Sequence, residues 1–291
     1  MPASSPEAFL SSTIWAIIIF GILGIIFHVV AKRYTLFRLP EEPWPGRPWR
    51  FWQIGVLFVV YIVVAMGITP IILWLARTNN PYMPFALQIA ISQWTTIGCT
   101  GLFFFILSFT IFKDRAKTTW KAEGGGTILG DIGFGLIFWV IALPTVFAID
   151  QVFELLNYLA FGVIGVEQLA VLYLREAIET PFLLTTALIA IILGAPFIEE
   201  FLFRGCLQGW IRSRVGKKSG ILITSLIFAL FHYAGSQGHG NIPIIASLFV
   251  LSVYLGWVYE KRQSLWASIT LHLVFNTANV VYILTILGRA T

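Results

Sequence analysis

Long apolar stretches dominate this chain and leave few options for its fold. Eight of them, at about 12–31, 53–76, 87–112, 130–149, 181–203, 220–235, 242–259 and 265–287, carry almost no charge. A helix needs roughly 20 predominantly apolar residues to cross the hydrocarbon core of a bilayer. The sixth and seventh stretches fall short of that length; the others reach it. A bilayer offers no water to exposed backbone N–H and C=O groups, so open sheet edges cannot face lipid. The expected fold is all-α: a polytopic transmembrane helix bundle of about eight spans with no β-sheet. The composition agrees, with 58% hydrophobic and only 11% charged residues, against about 25% charged in ordinary soluble domains.

The basic residues test the span count. Loops that follow the odd-numbered spans hold Lys32, Arg33, Arg38, Arg47 and Arg50, then Lys113, Arg115, Lys117 and Lys121, then Arg212, Arg214, Lys217 and Lys218, then Lys261 and Arg262. The opposite side holds Arg77, Arg175 and Arg289. This 15-to-3 split of the basic residues is what the positive-inside rule expects of eight spans with both termini outside the cytoplasm. The net charge of +5 is therefore a membrane signature. Without a basic run interleaved with aromatics, no nucleic-acid partner is expected. Cys99 and Cys206 make neither a disulfide framework nor a zinc site. Met1 to Leu10 has no basic n-region, so no cleaved signal peptide is expected.

Two regions are expected. Residues 1–124 would hold three spans and an interfacial segment, and residues 125–291 a membrane core of five spans. The interfacial segment, Tyr34 to Trp52, contains Trp44, Trp49 and Trp52 and four prolines. Such tryptophans form the aromatic belt at a membrane surface. Gly124 to Gly126 reads as a flexible joint. Asn157 to Thr180 reads as an amphipathic piece on the outer surface.

Polar residues inside the spans point to function, because intramembrane charge costs several kcal/mol unless it is paired or wet. Glu199 and Glu200 end the fifth stretch and Arg204 follows. Residues four apart share a helical face, so Glu200 and Arg204 are expected to pair, with Gln208 on the same stripe. Glu199 points about 100° away and faces another partner. Pro196 is expected to kink the helix and free a carbonyl. Phe228 and His232 share a face of the sixth span, and Ser268, His272, Asn276 and Asn279 share one of the eighth. Plainer readings exist for each: a charge cluster snorkelling at a helix end, a bonded packing histidine, polar groups that glue helices. Together they supply a base for water, a second group to share its proton, and donors for an oxyanion. His28 and His239 have no such partners in sequence.

Glu199-Glu200-Phe-Leu-Phe-Arg204, Phe228-Ala-Leu-Phe-His232 and His272-Leu-Val-Phe-Asn276 resemble the EExxxR, FxxxH and HxxxN motifs of the type II CAAX prenyl endopeptidase family, also called the CPBP or abortive-infection family. With Gly256-Trp-Val-Tyr-Glu-Lys-Arg-Gln-Ser-Leu-Trp leading into the last motif, the resemblance covers about residues 125–287. It implies an intramembrane glutamic endopeptidase. Glu199 would deprotonate water with help from His232, His272 and Asn276 would hold the oxyanion, and Glu200, Arg204 and Phe228 would brace the site. The eukaryotic members remove the last three residues of prenylated proteins. Some bacterial members are linked to bacteriocin self-immunity, so a non-catalytic membrane binder with the same fold is the alternative.

A metal held by Glu199, His232 and His272 competes with this reading. However, no helix carries two histidines in the H-E-x-x-H arrangement, so no metal or cofactor is expected. Ser225 lacks an elbow motif for a serine mechanism. A transporter ranks last, because no internal repeat is visible. Expected partners are membrane lipids and a membrane-anchored or lipidated peptide substrate. Expected localisation is the cell membrane, multi-pass, with the site toward the cytoplasmic half.

Overall fold

The structure is a computed structural model that describes residues 5–41, 49–120, 126–163 and 169–288. Trp44, Arg47, Lys121, Gly124, Gly125, Glu167 and Arg289 lie outside the described residues. The described residues form helices and no strand. They are α1 (Pro6–Arg33), α2 (Phe51–Asn79), α3 (Phe85–Phe109), α4 (Lys113–Trp120), α5 (Ile128–Phe161), α6 (Leu169–Ala177), α7 (Pro181–Val215), α8 (Lys217–Leu230), a 3-10 turn (Gly235–Gly240), α9 (Asn241–Arg262) and α10 (Leu265–Gly288). Seven of these helices are long and apolar enough to cross a membrane. The sixth expected span is α8, which has 14 residues. At about 1.5 Å per residue it is roughly 21 Å long, short of a hydrocarbon core of about 30 Å. The chain is a multi-pass membrane protein built as an all-α bundle.

Two expected spans run on well past their apolar stretches. The fourth was expected to end near residue 149, where Asp150 closes the apolar run. The α5 backbone continues to Phe161 and ends only at Gly162, whose φ of 65° lies in the left-handed region. Charge interrupts hydropathy but not backbone hydrogen bonding; a glycine at the end of a helix does. Likewise α7 passes residue 203 and ends at Gly216, with φ 85°. The amphipathic piece after α5 is α6, and it buries Tyr173, Leu174 and Ala177 in a cluster with α3, α7 and α10. It is packed into one end of the bundle.

Side chains are distributed inside out relative to a soluble protein. Ile25 and Val29 of α1 and Ile71 of α2 face outward, while Glu200, Arg204, Gln208, Ser252, Glu260 and His272 are buried. Apolar surface against lipid and polar contacts between helices is the pattern a bilayer selects. The basic loops gather at one end. Lys261 donates to the carbonyls of Thr35 and Arg38, and Lys217 to that of Pro40. Trp49 Nε1 donates to Thr119 Oγ1 at 3.0 Å. Arg262 holds the buried Asp131 carboxylate at 2.8 Å, joining the end of α9 to the start of α5.

Helices α5 and α10 approach closely at Gly135. A Cβ there would lie 2.5 Å from the Ala267 carbonyl oxygen and 2.8 Å from Thr270 Cβ. Neither backbone nor a β-branched stem can step aside. Gly135→Ala is expected to destabilise the protein by about 1–3 kcal/mol through overpacking, read as a lower midpoint of thermal unfolding in detergent.

Candidate active site

The site is set up by irregularities in α7. This helix contains two π-turns, Ala190–Gly194 and Phe201–Gln208, in which bonds run from N–H to the fifth carbonyl back. The first precedes Pro196. In this register Ala195 N–H reaches the Ala190 carbonyl, so the next N–H would serve Ile191. Residue 196 is a proline and has none. The Asn276 amide of α10 fills the place, donating from Nδ2 to the Ile191 carbonyl at 2.9 Å. The carbonyl that Pro196 was expected to free is thus bonded across the helix interface.

The second π-turn keeps a polar stripe in line. In a regular α-helix, residues four apart drift by about 40° at each step. A wider turn reduces that drift, and positions 204, 208 and 212 all reach α9. Arg204 Nη2 donates to Ser252 Oγ at 2.7 Å. Gln208 Nε2 donates to the Gly256 carbonyl and to Glu260 Oε1, each at 3.0 Å. Arg212 meets both Glu260 oxygens at 3.1 Å. The ladder requires close backbones, because a Cβ at Gly256 would lie 2.7 Å from Gln208 Oε1.

Glu199 and Glu200 have different surroundings. Glu200 is fully buried. Its Oε1 lies 3.1 Å from Arg204 Nη1 and 2.9 Å from His272 Nδ1. The Arg204 guanidinium also stacks 4.4 Å from the centroid of the buried Phe228 ring. The Glu199 side chain is 22% exposed and makes no hydrogen bond to a described residue; its nearest ionisable neighbours are His232 Nε2 at 3.8 Å and His272 Nε2 at 3.9 Å, both facing Oε2. Neither distance is a hydrogen bond. His232 lies just past the end of α8, and its Nδ1 donates to the Phe228 carbonyl at 2.9 Å. With that nitrogen protonated, the neutral ring presents an acceptor at Nε2.

Phe228 lies beneath both imidazoles, with ring centroids 4.7 Å from His232 and 6.1 Å from His272. The structure therefore brings together Glu199, Glu200, Arg204, Phe228, His232 and His272 from α7, α8 and α10. Asn276 sits one turn beyond His272 and bonds to Ile191. His28 is bonded elsewhere, to the Gly24 carbonyl and the Tyr254 hydroxyl. His239 stacks on Phe161.

A cavity of about 150 Å³ opens over Glu199, lined by Tyr61, Glu199, Leu202, Phe203, Phe231 and His232. That is room for several waters. Tyr61 comes from α2, where the sequence shows only a lone tyrosine in an apolar stretch. Among the described residues, no group of three or more His, Cys, Asp or Glu side chains is arranged to hold a metal ion.

A helical membrane bundle with two histidines aimed at one carboxylate is the class that fold and site define. Residues 180–278, about a third of the chain, match the family model described as Type II CAAX prenyl endopeptidase Rce1-like. This segment holds all three motifs, is consistent with the CPBP family, and gives the chain a CAAX-protease-like membrane core. No curated protein and no solved structure matches the chain.

Substitutions that disturb the two glutamates should differ in their effect on stability. Arg204→Ala leaves the Glu200 carboxylate buried without its cation, and is expected to destabilise the fold by about 3–5 kcal/mol. Glu199→Gln breaks no hydrogen bond and should change stability by less than about 1 kcal/mol. Thermal unfolding of the two purified variants beside the wild type checks both.

Proposed function

We propose that the protein is an intramembrane endopeptidase that hydrolyses a peptide bond in a membrane-anchored or lipidated protein. The observation that carries this reading is the convergence of two imidazole Nε2 atoms, from separate helices, on Glu199 Oε2 at 3.8 and 3.9 Å beside a cavity. A water about 2.8 Å from both the carboxylate and His232 fits that triangle.

Glu199 takes a proton from this water, and His232 accepts a hydrogen bond from it at Nε2. The water oxygen forms a bond to the scissile carbonyl carbon. The carbonyl π pair moves onto its oxygen, which Asn276 stabilises with an N–H and His272 stabilises from Nε2 as an imidazolium, its Nδ1 proton being given to Glu200. Asn276 has a second N–H left after bonding Ile191. On collapse the C–N bond breaks, and the proton held by Glu199 passes to the leaving amine. Glu200 and Arg204 hold His272 and the α7 backbone in place through their bonds to Nδ1 and Ser252. No covalent enzyme intermediate is needed.

The protein would sit in the cell membrane with its basic end in the cytoplasm. His272 is seven residues into α10, roughly 10 Å from the basic end. A site at that depth, in the cytoplasmic half, suits a chain end held at the inner leaflet by a lipid or a membrane helix.

Glu199→Ala, His232→Ala and Asn276→Ala are each expected to abolish cleavage while the protein still inserts. The measurement is C-terminal proteomics of membranes from cells carrying wild type or Glu199→Ala, which reads the cut sites directly. If all three variants generate the wild-type set of new C-termini, the protein is not a protease of this kind. Asn276→Ala should also lose about 1–3 kcal/mol of stability, because it orphans the Ile191 carbonyl.

A further inference from the structure

The cavity over Glu199 contains fewer hydrogen-bond donors than a hydrolytic site requires. Of its six lining residues, Leu202, Phe203 and Phe231 offer none. Glu199 as a carboxylate only accepts, and His232 uses its Nδ1 proton on the Phe228 carbonyl. His272 and Asn276 do not line this cavity. The remaining lining residue is Tyr61, whose hydroxyl makes no hydrogen bond to a described residue and which shares the cavity wall with Glu199. A tyrosine hydroxyl within a helix bundle normally finds a partner. Its ring is fixed against Phe231, centroids 5.5 Å apart. Three residues later α2 enters a π-turn at Val64–Ile68, a feature frequent at functional sites.

We infer that Tyr61 is a catalytic residue of this site, donating its hydroxyl hydrogen bond to the carbonyl oxygen of the scissile peptide as negative charge develops there. The inference rests on the protease reading above. The hydroxyl keeps its proton throughout, so the step balances as already written. Attack by the Glu199-activated water moves the carbonyl pair onto oxygen, Tyr61 donates to that oxygen from the cavity side in addition to His272 and Asn276, and collapse expels the amine. Tyr61 lies outside residues 180–278, so an N-terminal span completes a site whose other groups come from the family-matched segment.

The test uses the full-length protein in proteoliposomes. Its substrate is a synthetic peptide spanning the most abundant new C-terminus that wild-type membranes contain and Glu199→Ala membranes lack. Tyr61→Phe removes one hydroxyl and keeps the ring on Phe231, so its unfolding temperature should match the wild type. Loss of an oxyanion donor lowers kcat by about 10²–10³-fold, and Tyr61→Phe should fall in that range with KM changed less than about threefold. Phe231→Leu, which loses packing but no donor, should lower kcat far less. If Glu199→Ala is inactive while Tyr61→Phe turns over at the wild-type rate, or changes KM alone, the Tyr61 assignment is overturned and the protease reading stands. If no C-terminus depends on Glu199, both fall.

Discussion

The buried contact between Glu200, Arg204 and Ser252 is the interaction on which the rest of the site depends. It joins α7 to α9 through Ser252 and to α10 through His272. A guanidinium and a carboxylate without exposed surface must lie where their charges offset each other inside the bundle. Once they do, the rotation of α7 is fixed. Gln208 and Arg212 must then face α9, and Glu199 must face the space between α2 and α8. The freedom of Glu199 follows from the constraint on the residue beside it.

Much of this was legible in the sequence. Seven of the eight apolar stretches fall on helices long enough to cross a membrane and the sixth on the shorter α8, because length and hydropathy are both written in composition. The pairing of Glu200 with Arg204 and the separate direction of Glu199 followed from helical spacing alone. The three motifs lie inside residues 180–278, the segment that the family comparison matched, which is shorter than the 125–287 read from the resemblance. The ends of α5 and α7 were not legible from hydropathy, since Asp150 and Arg204 interrupt an apolar run without interrupting a helix.

The less visible features arise from tertiary geometry. The π-turns of α7 have no strong local signal; they keep a stripe of polar residues aligned with α9, and that alignment exists only in the folded bundle. Asn276 looked like a donor for chemistry, and it also caps the carbonyl that Pro196 leaves open. Proline, carbonyl and amide are far apart in the chain, and only the packing of α10 on α7 joins them. Tyr61 lay in a stretch with no motif, and its placement depends on α2 packing along the Phe203 and Phe231 rings.

The basic loops drawn together at one end also give the bundle an electrical polarity. Lys217 and Lys261 are tied to backbone carbonyls of the segment after α1, so these charges belong to one rigid face. A membrane potential acts on each elementary charge with about 2.3 kcal/mol per 100 mV. Turning the bundle over would carry that whole face against the field. With the basic end in the cytoplasm, as proposed above, an energised membrane would work as a latch on this protein, holding that end on the electrically negative side for as long as the potential lasts.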